Sequence, residues 1–203
     1  MAREAARRTG HAMRTLRTKR LRLEPVTPSN AEALWNVLQQ PDLRDFQDLP
    51  DLDLPQFVRT VTARPTRLEP GISGRFEWLV YGADGQSGAP LGWVSLRIAE
   101  RAFSSAEVGY SIVREQRGRG FATEAVAALV EEGFRSAGLR RIRAYCVPEN
   151  ASSRSVLRRN GFQDDGMLPH GATVQGHPVD VIAFSLERDR WKSNTTSRPA
   201  TRS

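Results

Sequence analysis

The segment Arg117-Gly118-Arg119-Gly120-Phe121-Ala122 has the residue types and spacing to bind an anion. Glycine takes backbone conformations closed to other residues, so two glycines in this run let the chain turn tightly and aim several N–H groups at one point. The following residues, Phe121 to Ser136, place Ala122, Ala125, Val126 and Leu129 on one helical face. The start of such a helix adds unpaired N–H groups and a partial positive charge. A pyrophosphate suits such a turn, with Arg117 and Arg119 adding charge at its rim. The segment is not a Walker loop, because no Gly-Lys-Ser/Thr follows, and it is not G-x-G-x-x-G. A glycine-rich turn without a ligand would have the same residues, and this stretch alone leaves both readings open.

The surrounding pattern must hold this turn in place. Leu21 and Leu23 alternate with charged residues as a short strand, and Ser29-Asn30-Ala31-Glu32 reads as a capping box before a helix with Ala31, Leu34, Trp35 and Leu38 inward. Leu54, Phe57, Val58 and Val61 repeat that spacing up to Pro65. Strands are expected around Phe76 to Val80, Leu91 to Ile98, Val108 to Ile112, Ile142 to Val147 and Val179 to Leu186, with a turn at Ala83-Asp84-Gly85. Helices are expected over Phe121 to Ser136, before Gly138, and over 152–160, before Gly161. The order β-α-α-β-β-β-α-β-α-β makes a mixed α/β sheet in a single domain. Residues 1–16 read as a disordered basic arm, 17–191 as the domain and 192–203 as a polar disordered tail.

Charge is unevenly spread over the 203 residues. Residues 1–22 hold eight basic side chains and one acid, and residues 188–203 hold five and one. Between them lie 17 bases and 21 acids, so the globular part is mildly acidic although the whole chain is +7. A basic terminus is a weak sign of nucleic-acid binding, and no specific nucleic-acid partner is expected. The single cysteine, Cys146, excludes an internal disulfide and points to a reducing, cytoplasmic setting. No stretch approaches the roughly 18 apolar residues of a membrane-spanning helix, so no membrane association is expected. Alternation puts Tyr110 and Cys146 with the core, and His170 and His177 fall in a Gly/Pro-rich stretch read as exposed loop.

The run Glu107-Val108-Gly109-Tyr110-Ser111-Ile112-Val113 leads into the glycine turn, and Asn150-Ala151-Ser152-Ser153-Arg154-Ser155-Val156-Leu157-Arg158-Arg159-Asn160-Gly161-Phe162 follows downstream. Together these resemble the GNAT superfamily of acetyl-CoA-dependent N-acetyltransferases, in its RimJ/RimL-type branch. Arg117, Gly120 and Ala122 match the family's Q/R-x-x-G-x-G/A motif. Asn150, Ser153, Val156, Leu157, Gly161 and Phe162 match N-x-x-S-x-x-V-L-x-x-x-G-F, and the likeness spans roughly residues 17–191.

The resemblance implies a mostly antiparallel sheet, flanked by helices and splayed at the acetyl-CoA site. It implies that backbone groups of Arg117, Gly118, Arg119, Gly120, Phe121 and Ala122 hold the pyrophosphate. The pantetheine would run past Ile112, Val113 and Arg114, with Asn150 and Ser153 near the thiol end and no metal. An acceptor ammonium must lose a proton before it attacks, and Glu107 is the first candidate base, with a solvated strand-end glutamate as the alternative. Glu77 is the second candidate. Many members of the family protonate the departing thiolate with a tyrosine after the fifth strand; here Ser153 stands in that neighbourhood, as donor or as a helix-capping serine. Asp42, Asp45, Asp48, Asp51 and Asp53 crowd the link between the first two helices, which in this family borders the acceptor cleft. They could attract a cationic amine or be turn-forming residues. The acceptor is then a protein N-terminus or a small-molecule amine, and a homodimer is compatible with the family. A non-catalytic CoA-binding module is the rival from another class.

Overall fold

Apolar side chains alternate at Phe76, Trp78 and Val80, at Val94, Leu96 and Ile98, and at Val108, Tyr110 and Ile112. This alternation gives three adjacent antiparallel strands a common apolar face. The structure, a computed structural model, describes residues 12–43, 52–85, 88–100, 102 and 104–196. The strands are β1 (Leu16–Arg17), β2 (Leu21–Pro25), β3 (Gly74–Gly82), β4 (Gly92–Ile98), β5 (Ser105–Ile112), β6 (Arg141–Cys146), β7 (Gln163–Val174) and β8 (His177–Glu187). The helices are α1 (Ala31–Leu38), α2 (Leu54–Thr62), α3 (Phe121–Arg135), α4 (Ala151–Arg159) and α5 (Arg188–Thr196). The sheet order β1-β2-β3-β4-β5-β6-β8-β7 makes the mixed α/β architecture expected from the sequence.

Neighbouring strands run antiparallel except β5 and β6, which are joined by the crossover through α3. That parallel pair keeps only three registered pairs: Ser105 with Arg141, Ala106 with Ile142 and Glu107 with Arg143. Beyond Glu107 the strands part.

One face of the sheet carries Phe76, Trp78, Val94, Leu96, Val108 and Ile142, and packs against Val126, Leu129 and Phe134 of α3. The opposite face carries Leu79, Tyr81 and Trp93 under Leu34 of α1 and Phe57 of α2. The two layers therefore bury both faces of the central strands, which is why β3 and β4 contain nearly continuous buried runs.

Several local expectations are corrected. The capping box sits at α2, where Asp53 accepts from the Gln56 N–H and the Gln56 side chain accepts from the Asp53 N–H. Ahead of α1, Ser29 hydrogen-bonds Thr27, and Asn30 makes no side-chain cap. Strand β1 is too short to show alternation. Strand β7 is exposed along most of its length, so no buried periodicity marks it; its ladder to β8 holds it. His170 and His177, expected in a loop, lie in β7 and β8 and are exposed. Helix α5 starts inside the expected domain and runs on through 192–196, residues read as disordered tail. Near the amino end, Trp78 donates its indole N–H to the Arg14 carbonyl at 3.0 Å, and Arg14 pairs with the buried Glu132 at 2.6 Å.

Candidate active site

The glycine turn joins β5 to α3. Gly118 and Gly120 have φ of 76° and 80°, the left-handed region in which a side chain is disfavoured. The first bond inside α3 runs from the Glu124 N–H to the Gly120 carbonyl. The N–H groups of Phe121, Ala122 and Thr123 therefore have no acceptor within the helix. Arg117 donates its Nε–H to the Ile112 carbonyl at 2.8 Å, which bends the chain back toward the end of β5.

Arg20, counted by sequence among the basic terminal residues, fastens this turn. It donates to the Arg119 carbonyl at 2.9 Å, pairs with Glu124 at 2.7 Å and lies over the Phe121 ring at 4.9 Å. Thr18 adds a hydrogen bond to Glu124. The β1–β2 connection thus holds the start of α3, a long-range relation with no local sequence signal.

A cavity of about 1190 Å³ begins at this turn, follows the gap between β5 and β6 and is lined by residues from both faces of the sheet. On the α3 side it meets Arg117, Gly118, Gly120, Phe121, Ala122 and Tyr110. On the other side it meets Arg75, Ser95, Arg97, Glu107 and Gly109. Leu168, Gly171 to Val174 and Val181 of the β7–β8 hairpin contribute to its wall.

The Val113 N–H is taken by the Leu91 carbonyl. Ladder alternation then directs the backbone groups of Ser111 and Gly109 toward β4, and those of Ile112 and Tyr110 toward the gap. A Cβ on Gly109 would come within 2.9 Å of the Ser95 hydroxyl, so glycine keeps this part of the wall flat.

Of the residues singled out in the sequence, Glu107, Ile112, Arg117, Gly118, Gly120, Phe121, Ala122, Asn150 and Ser153 line this one cavity. Val113, Arg114 and Arg119 do not: Arg114 belongs to a short 3-10 turn, and the Arg119 carbonyl faces Arg20. Glu77 is also absent from the lining; it is buried in ion pairs with Arg64 and Arg75. Glu107 stands where the β5–β6 ladder ends and pairs with Arg97.

Asn150 caps α4, its Oδ1 accepting from the Ser153 N–H and the Ser152 hydroxyl, each at 2.9 Å. The cap is therefore Asn150, and the Ser153 hydroxyl is directed to Tyr110 at 2.9 Å. Tyr110, expected in the core, is half-buried on the cavity wall, and burial raises its pKa. Cys146 is buried on the same wall, and burial raises its thiol pKa against the opposing effect of the Ser153 hydroxyl. Asp45, Asp48 and Asp51 lie outside the described residues, and Asp53 is the α2 cap.

The family model for the acetyltransferase (GNAT) domain matches residues 20–163, which contain the turn, the gap and α4. The chain belongs to the GNAT acetyltransferase family. This GNAT chain is 31% identical over 175 residues to an uncharacterized N-acetyltransferase, p20, of Bacillus licheniformis, covering 86% of this chain and 96% of that protein. It is 33% identical over 95 residues to the ribosomal-protein-serine acetyltransferase of Escherichia coli, covering 47% of this chain and 53% of that one. Its fold matches RimL, a ribosomal alpha-N-protein acetyltransferase solved with coenzyme A, with a TM-score of 0.71 at 20% identity, covering 87% of this chain and 99% of that one. Among the described residues of the GNAT chain, no helix is long and apolar enough to cross a membrane.

Proposed function

We propose that this GNAT enzyme moves an acetyl group from acetyl-CoA to the free N-terminal amine of a protein or peptide, by direct attack with both substrates bound, in the cytoplasm. The observation that carries this reading is one continuous cavity. It joins unpaired N–H groups at the α3 start to a carboxylate on the opposite face of the sheet.

The residues present fit coenzyme A. Two left-handed glycines, the free N–H groups of Phe121, Ala122 and Thr123, and Arg117 suit a diphosphate. The unpaired β5 edge at Tyr110 and Ile112 suits an amide-bearing chain. When bound, this co-substrate would supply an activated thioester.

The chain's own groups handle protons and position. Glu107, at the closed end of the gap where the ladder stops, accepts a proton from the incoming ammonium, directly or through water. The β5 backbone N–H facing the gap polarises a carbonyl placed beside it. Ser153, held by Tyr110, relays a proton to the departing sulfur, giving its hydroxyl proton as it takes one from solvent. Base and acid therefore act from opposite faces, with the gap between them. Holding both reactants there supplies much of the rate.

The ribosomal-protein acetyltransferases among the relatives support a protein acceptor. The deciding experiment incubates the protein with acetyl-CoA and a panel of free N-terminal peptides, N-terminally blocked lysine peptides, amino acids and aminated antibiotics, read by mass spectrometry. Acetylation confined to free N-termini is the expected result. Antibiotic or amino-acid products would favour a small-molecule acceptor, and CoA binding with no product would favour a non-catalytic module.

A further inference from the structure

Four arginines, Arg75, Arg97, Arg117 and Arg159, line the cavity, but Glu107 is its only acidic lining residue among those described. Arg117 stands at the turn where the diphosphate would lie. The surplus at the other end is separate. There Arg75 lies directly opposite Arg97 on β3 and β4, Arg97 opposite Glu107 on β5, and Glu107 beside Arg143 on β6. Like charges directly opposite across a ladder destabilise a sheet.

The nearby carboxylates do not neutralise this row. Glu77 is 3% exposed and shared between Arg64 and Arg75, while Glu107 answers Arg97. The Arg75 and Arg97 side chains remain 45% and 62% exposed.

We propose that this arginine pair selects acceptors with an acidic stretch just after the reacting amine. The proposal rests on the N-terminal peptide reading above. An amine at Glu107 on β5 is two strand spacings from Arg75 on β3, roughly 10 Å at about 4.8 Å per strand. An extended peptide crosses that span in about three residues. Carboxylates at the second to fourth peptide positions therefore reach from Arg97 to Arg75, and the carboxylate of a free amino acid reaches no further than Arg97.

The test compares serine-initiated peptides carrying aspartate or glutamate, alanine, or lysine at positions two to four. kcat/KM is read by mass spectrometry at low salt and at roughly 1 M salt, where the screening length is about 3 Å. The wild-type enzyme should favour the acidic over the neutral peptide by roughly tenfold, the worth of one hydrogen bond to a charged group, and salt should shrink that ratio. Arg75→Gln should carry the ratio toward one, and Arg75→Glu should invert it toward lysine.

The wild-type ratio stands whatever the folding of either variant. A flat ratio, with peptides still acetylated, overturns the proposal alone. A lysine preference also overturns it and assigns acceptor choice to the aspartate-rich link. No turnover of any free N-terminal peptide overturns the acceptor reading and this proposal together.

Discussion

The hydroxyl of Tyr110 on β5 lies 2.9 Å from the hydroxyl of Ser153 on α4, across the gap where β5 and β6 part. Tyr110 also donates to the Ser153 carbonyl at 3.2 Å. Burial keeps the phenol protonated through neutral pH. Ser153→Ala should lower kcat by roughly 10²-fold, the low end for a positioned acid. Tyr110→Phe should lower it by less, and CoA affinity should change little in either variant. Steady-state kinetics beside calorimetric CoA titration checks this; normal turnover in Ser153→Ala would leave solvent as the proton donor.

Glu107→Gln keeps the side-chain shape and removes its basicity. The rate should fall by roughly 10²–10⁴-fold at neutral pH. The loss should shrink as pH rises and more of the acceptor is already the free amine. A pH–rate profile of both proteins decides it, and a near-normal neutral rate would take Glu107 out of the mechanism.

Gly120→Val places a branched side chain at a φ of 80°, where its Cβ would also come 3.4 Å from Arg20 Nη2. Left-handed backbone at a non-glycine residue costs about 1–2 kcal/mol, so the turn should relax away from its donor geometry and CoA should bind roughly 5- to 30-fold more weakly. Equal affinity in a folded variant would move the diphosphate away from this turn.

Arg14→Ala leaves the Glu132 carboxylate buried on α3 with, among the described residues, only the Ser136 hydroxyl for support. Loss of a partner at a buried polar group costs about 1–3 kcal/mol, and more at a charged one; the exposed Arg14 side brings the expected cost back to roughly that range. Urea unfolding should show a lower midpoint with an unchanged slope. An unchanged midpoint would mean that this pair, exposed on its arginine side, adds nothing.

Burial alone would raise the Glu124 carboxyl, but hydrogen bonds from Thr18 and Arg20, with the Arg20 charge, outweigh it and hold the group low. A carboxyl held low in the folded chain contributes stability that is complete above its unfolded pKa. That stability is lost as pH falls through the folded value. Stability should therefore decline on acidification below the ordinary glutamate value of about 4.3, and Glu124→Gln should flatten this decline. Denaturation curves at stepped pH test it; parallel declines would remove Glu124 from the acid response.

The central strands and α3 were legible because Phe76 to Val80, Val108 to Ile112 and Ala122 to Leu129 repeat with the periods of a strand and a helix. The glycine turn was legible because its chemistry is local. Arg20 at the turn, Arg14 on Glu132 and the pairing of Glu77 with Arg64 were not, since each joins residues far apart in the chain or across strands. Tyr110 shows a different limit. Its alternation correctly gives its face of β5, but only the parting of β5 from β6 turns that face from core into cavity wall.

Because the β5–β6 ladder has just three registered pairs, the sheet is two leaves on a short spine, with α3 packed across both. A molecule seated in the wedge would act as a splint, replacing the missing rungs with its own contacts to both leaves. The leaf bearing Leu168 and Val181 also lines this cavity. That wall would then be stiffest with the proposed acyl donor in place and would slacken when the spent thiol departs. Under the proposed chemistry, loading would run in one order: donor first, to firm the hinge, then the amine.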